Sequence, residues 1–122
     1  MDSQPIREVL LTYFDASYEA DGEKMAKVFF DPAHIYGQNS DGSLCDMSKE
    51  FFVNVVYGPG CERVEHPRFD EIISIDFTGE NTAVARVKVR VGNILYTDIL
   101  SFIKLDGAWG IISKVYSGET IR

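Results

Sequence analysis

The chain has 122 residues, 45% of them apolar and 12% aromatic, which suits one domain over residues 1–122 that buries about two-thirds of its unfolded surface and excludes a disordered chain. A formal net charge of −7 argues against general affinity for nucleic acid or anionic membrane. No apolar run approaches a bilayer span, and Met1–Pro5 lacks the basic and apolar regions of a signal peptide.

In chain order, Pro5 suits the first turn of a helix and Ser3 its cap. Ile6, Val9, Leu10, Tyr13, Phe14, Ser17 and Tyr18 then form one stripe at helical spacing, with Asp15 among the residues expected on the solvated side. Asp21-Gly22 breaks this helix. Glu23–Phe30 reads as a second, short one ended by Asp31-Pro32. His34–Tyr36 and Ser43–Cys45 read as short strands around the turn cluster Asn39–Gly42. Ser48 caps a third helix whose apolar stripe is Phe51, Phe52, Val55 and Val56, stopped near Tyr57 by Gly58-Pro59-Gly60. Glu62–Pro67 is a polar loop, in which His66 is expected to be solvated. Arg68–Phe77 is a strand with Ile73, Ile75 and Phe77 on one face and Ile72, Ser74 and Asp76 on the other.

The last third is a meander. Thr82–Val91 alternates, with Ala83, Ala85, Val87 and Val89 on one face and the basic Arg86, Lys88 and Arg90 on the other. Gly92-Asn93 turns into Leu95–Leu105, and Asp106-Gly107 into Trp109–Tyr116. Across the first turn Val87 faces Asp98. Across the second, a two-residue loop sets Asp98 opposite Val115, whereas a three-residue loop with Gly107 left-handed sets it opposite Lys114. The second option is preferred because it pairs opposite charges. One face then carries Tyr96, Asp98, Leu100, Phe102, Ile112, Lys114 and Tyr116. The other carries Ile99, Ile103, Trp109, Ile111 and Val115, an apolar patch that the helices cannot also cover.

Asp98 and Lys114 are the sharpest site candidates, as ionised groups pointing from mid-strand toward the helices. They read equally as a proton-transfer pair, a ligand anchor or a structural ion pair. Tyr96 and Tyr116 flank them, Tyr18 and Tyr36 complete the candidate ligand contacts, and His34 is the candidate base outside the pair. Two histidines and two cysteines make no metal-ligand spacing, and no phosphate loop or nucleophile elbow is present, so neither metal nor cofactor is expected. Cys45 and Cys61 read as free thiols, hence a cytoplasmic protein.

Several segments resemble the NTF2-like superfamily. They are Ile6–Tyr18 with Asp21-Gly22, Phe29-Asp31-Pro32-Ala33, Asp41-Gly42, Ser48–Phe51, Thr82–Ala85, Tyr96–Leu100 and Leu105–Tyr116. The last two are similar to a branch labelled SnoaL-like or "putative lumazine-binding". The resemblance implies an α+β, cone-shaped, cystatin-like fold, with three N-terminal helices on one face of a strongly bent, mainly antiparallel sheet. It implies a cavity between sheet and helices, and a homodimer through the outer sheet face, here Ile99, Ile103, Trp109, Ile111 and Val115. It places His34 near the cavity mouth. The expected function is binding of a small apolar or aromatic molecule. The alternatives are an isomerase, dehydratase or hydrolase using Asp98 with Lys114 or His34, and a dimerisation module without ligand.

Overall fold

The structure, a computed structural model, describes residues 1–58 and 65–121. Pro59, Gly60, Cys61 and the start of the Glu62–Pro67 loop lie outside the described residues. Helices α1 (Gln4–Glu19) and α2 (Gly22–Val28) lead into strands β1 (Phe29–Gln38) and β2 (Leu44–Ser48). A third helix follows, α-helical over Lys49–Phe51 and π-helical over Phe52–Val56, and the chain ends in β3 (Asp70–Phe77), β4 (Thr82–Val91), β5 (Ile94–Leu105) and β6 (Ala108–Thr120). The six strands form one sheet in the order β2-β1-β6-β5-β4-β3, antiparallel except where β1 pairs with β6. The helices pack on one face, giving an α+β architecture.

α1 forms because its apolar residues recur on one face. Ile6, Leu10, Tyr13 and Phe14 are buried against Ala83, Ala85, Val87 and Leu100 of the sheet. Tyr18, at the end of that stripe, is 37% exposed. Ala20, at φ 56°, ends the helix, and the Asp21 side chain caps α2 by accepting from the Lys24 amide at 3.1 Å.

β1 starts earlier than the sequence suggests. Phe29 and Phe30 are strand, not helix, and Pro32 is carried inside it because the ladder to β6 is interrupted between Phe29 and His34. The interruption removes the need for a proline N–H. In the third helix, Phe51 and Val55 are 47% and 59% exposed while Phe52 is buried, so the expected four-residue stripe does not hold. The cause is the π turn, in which the Tyr57 amide bonds to the Phe52 carbonyl at 3.1 Å and rotates one residue out of register. β3 carries a bulge between Ile72 and Ser74, which leaves Ile73 38% exposed and puts Ile72, opposite Val87, on the same face as Ile75 and Phe77.

The β5–β6 register replaces the preferred three-residue loop with the two-residue one and gives Asp98 a partner that neither option had. Asp106 and Gly107, at φ 49° and 79°, form a strict two-residue loop, with Leu105 opposite Ala108 and Phe102 opposite Ile111. The register then shifts at Ile112, so that Ser101 faces Ser113, Leu100 faces Lys114 and Asp98 faces Tyr116. The bulge reverses the alternation. On the turn side of it Trp109 and Ile111 face the helices, Ile111 fully buried and Trp109 edge-on to Phe77 at 5.8 Å. Beyond it Lys114 and Tyr116 take over the inner face. Trp109 and Ile111 are therefore removed from the outer patch, where Ile99 and Val115 remain, paired and 45% and 46% exposed. Among the described residues, no helix is long and apolar enough to cross a membrane.

Candidate functional site

Between sheet and helices lies a cavity of about 250 Å3. α1 contributes Tyr13, and the third helix contributes Phe52, Val56 and Tyr57. The sheet contributes Cys45 and Met47 of β2, Val89 and Val91 of β4, Tyr96 of β5, and Lys114 and Tyr116 of β6. The π turn brings Tyr57 to the lining beside Phe52 and Val56; in an unbroken α-helix Phe52 and Val56, four apart, would share a face while Tyr57 would turn away from it. Gly37 on β1 leaves room for the Tyr116 ring, into which a Cβ at that position would run.

Lys114 is the cationic group in this lining. Its ammonium lies 5.3 Å from the Tyr13 ring centre, 4.9 Å from Phe52 and 5.6 Å from Tyr116, contacts each worth about 0.5–2 kcal/mol. The nearest carboxylate oxygen, Asp98 Oδ2, is 3.9 Å from Nζ, beyond hydrogen-bond reach. Asp98 is fully buried under the cavity wall, and its Oδ2 accepts the Tyr13 hydroxyl at 2.5 Å. Among the described residues its Oδ1 has no hydrogen-bond partner.

Burial pushes the Lys114 ammonium below the ordinary lysine range against the opposing pull of Asp98. Burial, then the Asp98 charge, holds the Tyr13 hydroxyl well above the ordinary tyrosine range. Burial, reinforced by a hydrogen bond to Cys45, pushes Tyr116 up to about 12. At neutral pH the two tyrosines are thus hydroxyl donors. The Tyr116 ring stands edge-on to Tyr96 at 5.7 Å.

Asp98, Lys114, Tyr96 and Tyr116 are thus brought together. His34 and Tyr36 are not. They flank the buried Ile35 and so point to the outer face, where the two rings stack at 5.9 Å and His34 Nδ1 meets Asp46 Oδ1 at 2.6 Å. Tyr18 is also elsewhere, edge-on to His66 at 5.5 Å with the Arg68 guanidinium 5.4 Å from its ring centre. His66 is buried there rather than solvated, whereas Asp15 is on the solvated side and pairs with Arg68 at 2.7 Å. Tyr13 is the site residue that the sequence reading missed. Its signal was a phenol in the middle of an apolar stripe, since a buried hydroxyl needs a partner.

The family described as "Putative lumazine-binding" matches residues 1–117 by its sequence model. The chain belongs to this family, within the NTF2-like superfamily. Among solved structures it is similar to an NTF2-like protein of unknown function from Shewanella baltica OS155, at 28% identity over 95% of this chain and 92% of that one, with a TM-score of 0.82. An NTF2-like protein of unknown function from Methylobacillus flagellatus KT is also 28% identical, over 96% and 91% of the two chains, with a TM-score of 0.75. A domain with a cystatin-like fold from Nostoc punctiforme PCC 73102, 19% identical over 95% and 76% with a TM-score of 0.74, shares the fold. No curated protein matches the chain.

Proposed function

We propose that this protein binds a small apolar or aromatic molecule in the cavity, with Lys114 holding the ligand's polar end. The observation that carries this reading is the Lys114 ammonium. It lines a cavity that is otherwise mostly aromatic and aliphatic, with its nearest carboxylate oxygen 3.9 Å away. An ammonium stripped of water gains most from a further acceptor, and a ligand oxygen supplies one at that spot. The volume of about 250 Å3 is just below the ~300–1,000 Å3 of pockets that take drug-sized ligands, so the occupant is a compact, one- or two-ring molecule. The family's description points to the same class. Asp98, through Tyr13, positions the wall rather than the ligand.

The test is a titration with benzamide and with toluene, read from the methyl NMR signals of Met47, Val89 and Val91. Benzamide should shift these methyls in the wild type. It should bind about tenfold or more weaker to the double variant Asp98→Asn/Lys114→Met, the scale of one hydrogen bond to a charged group; toluene should bind both alike. No methyl shift with either compound, or an equal benzamide affinity for both proteins, contradicts the reading.

The protein also pairs with a second copy through its outer sheet face, centred on Ile99, Ile103 and Val115. The support is an exposed apolar pair in the middle of a sheet face that no helix covers. A cytoplasmic setting rests on the thiol argument, with Cys45 free. Two thiols titrating in the unfolded, unreduced protein is the expected result, and none would overturn it.

A further inference from the structure

We propose that Lys114 is an imine-forming lysine that captures small aromatic aldehydes in the cavity. The inference rests on the cavity-binding reading and names the chemical class of its ligand. Three features carry it. The amine lines a cavity large enough for a substituted ring. Its surroundings are ring faces at 4.9–5.6 Å rather than hydrogen-bond acceptors, which leaves the ammonium poorly solvated and eases loss of its proton. A buried carboxylate stands 3.9 Å behind the amine, held by the Tyr13 hydroxyl and, among the described residues, with its second oxygen unpartnered. Burial, which lowers the cost of the neutral amine, works in the same direction.

The step balances with these groups and one bridging water. Asp98, 3.9 Å from Nζ, takes a proton from the Lys114 ammonium through that water. The freed Nζ lone pair attacks the aldehyde carbon, forming the C–N bond as the carbonyl electrons move to oxygen. A proton passes from nitrogen to that oxygen, giving a carbinolamine. Asp98 returns its proton through the same water to the hydroxyl, the C–O bond breaks, and water leaves. The product is a protonated imine on Lys114 beside an ionised Asp98, so the ion pair at the start is also present at the end. The ammonium gives up two hydrogens, both carried off in the water. Asp98 acts here as a proton carrier, and Tyr13 positions it.

The experiment treats the full chain with benzaldehyde and sodium cyanoborohydride at neutral pH and maps the benzylated lysines by mass spectrometry. Benzamide, which has the same shape but forms no imine, is followed in parallel by the methyl signals of Met47, Val89 and Val91. The chain supplies its own controls, Lys24, Lys27, Lys49, Lys88 and Lys104, none of which lines the cavity. Lys24, whose ammonium is favoured by its hydrogen bond to Glu19, should be among the least reactive. The expected result is at least about tenfold more label on Lys114 than on any control, the effect of holding the aldehyde beside the amine, and suppression of that label by excess benzamide. Asp98→Asn should slow labelling at Lys114 while leaving the controls unchanged. If benzamide shifts the cavity methyls but label is spread evenly over the lysines, the imine inference falls and the binding reading stands. If benzamide shifts nothing and Lys114 is unlabelled, both fall.

Discussion

Lys114 lines the cavity and Asp98 lies buried 3.9 Å behind it, and their energetics follow from burial more than from attraction. Removing one partner of a buried pair strands the other, a loss of about 3–5 kcal/mol. Lys114→Met should therefore destabilise the fold strongly in a denaturant titration. Asp98→Asn should cost less, because the amide still accepts the Tyr13 hydroxyl. The double variant should recover much of the loss, with a coupling on the order of 1–3 kcal/mol. Single variants that each stay within about 1 kcal/mol would match an exposed pair and contradict this placement. The tyrosines give a second residue-scale test. Tyr13 and Tyr116 have folded pKa values raised above the unfolded value of about 10, Tyr116 to about 12. Their contribution to stability is complete below about pH 10 and is lost as pH rises through the folded values. Lys114 runs the other way. Its folded value is depressed, so its cost is present at lower pH and is relieved as pH rises toward the unfolded lysine value. In a tyrosinate absorbance titration of the six tyrosines, Tyr116 should ionise near pH 12 and Tyr13 only as the fold opens. Six tyrosines ionising together near about pH 10 in the folded protein would contradict the burial of both.

At the scale of the element, the inner face of β6 is set by one residue, the bulge at Ile112. Deleting Ile112 should restore a regular ladder in which Lys114 stays opposite Leu100 and Tyr116 opposite Asp98, so both keep the inner face. It should therefore preserve the benzamide response. A folded deletion variant that loses binding contradicts the assigned register. This is also where sequence reading reached its limit. The alternation of Thr82–Val91 and the Gly92-Asn93 turn fix the β4–β5 pairing, so Asp98 opposite Val87 was legible. Lys114 reached the correct face through an error of register that a bulge offset, because one extra residue anywhere in a strand inverts all that follows. Trp109 and Ile111 lie before the bulge and had no such correction. Ile73 and the π turn at Phe52–Val56 were missed for the same reason. The local patterns at β and α spacing are intact, and only tertiary packing selects the interruption. The parallel pairing of β1 with β6 joins segments far apart in the chain and leaves no local signal at all.

For the whole molecule, the placement of Trp109 decides which substitutions report on assembly and which on folding. Val115→Glu on the outer face should convert a dimer to a folded monomer in sedimentation, whereas Trp109→Glu should unfold the chain because the ring packs against Phe77 and the core. A wild-type monomer at micromolar concentration would contradict assembly through this face. Whether the space between sheet and helices binds a ligand with Lys114 as its polar anchor is decided by a crystal structure of the protein soaked with benzamide. Density for the ring is expected among Met47, Phe52, Val89 and Val91, with the amide oxygen within hydrogen-bond distance of Lys114 Nζ. A cavity closed by its own side chains, or benzamide bound only elsewhere, would contradict that expectation.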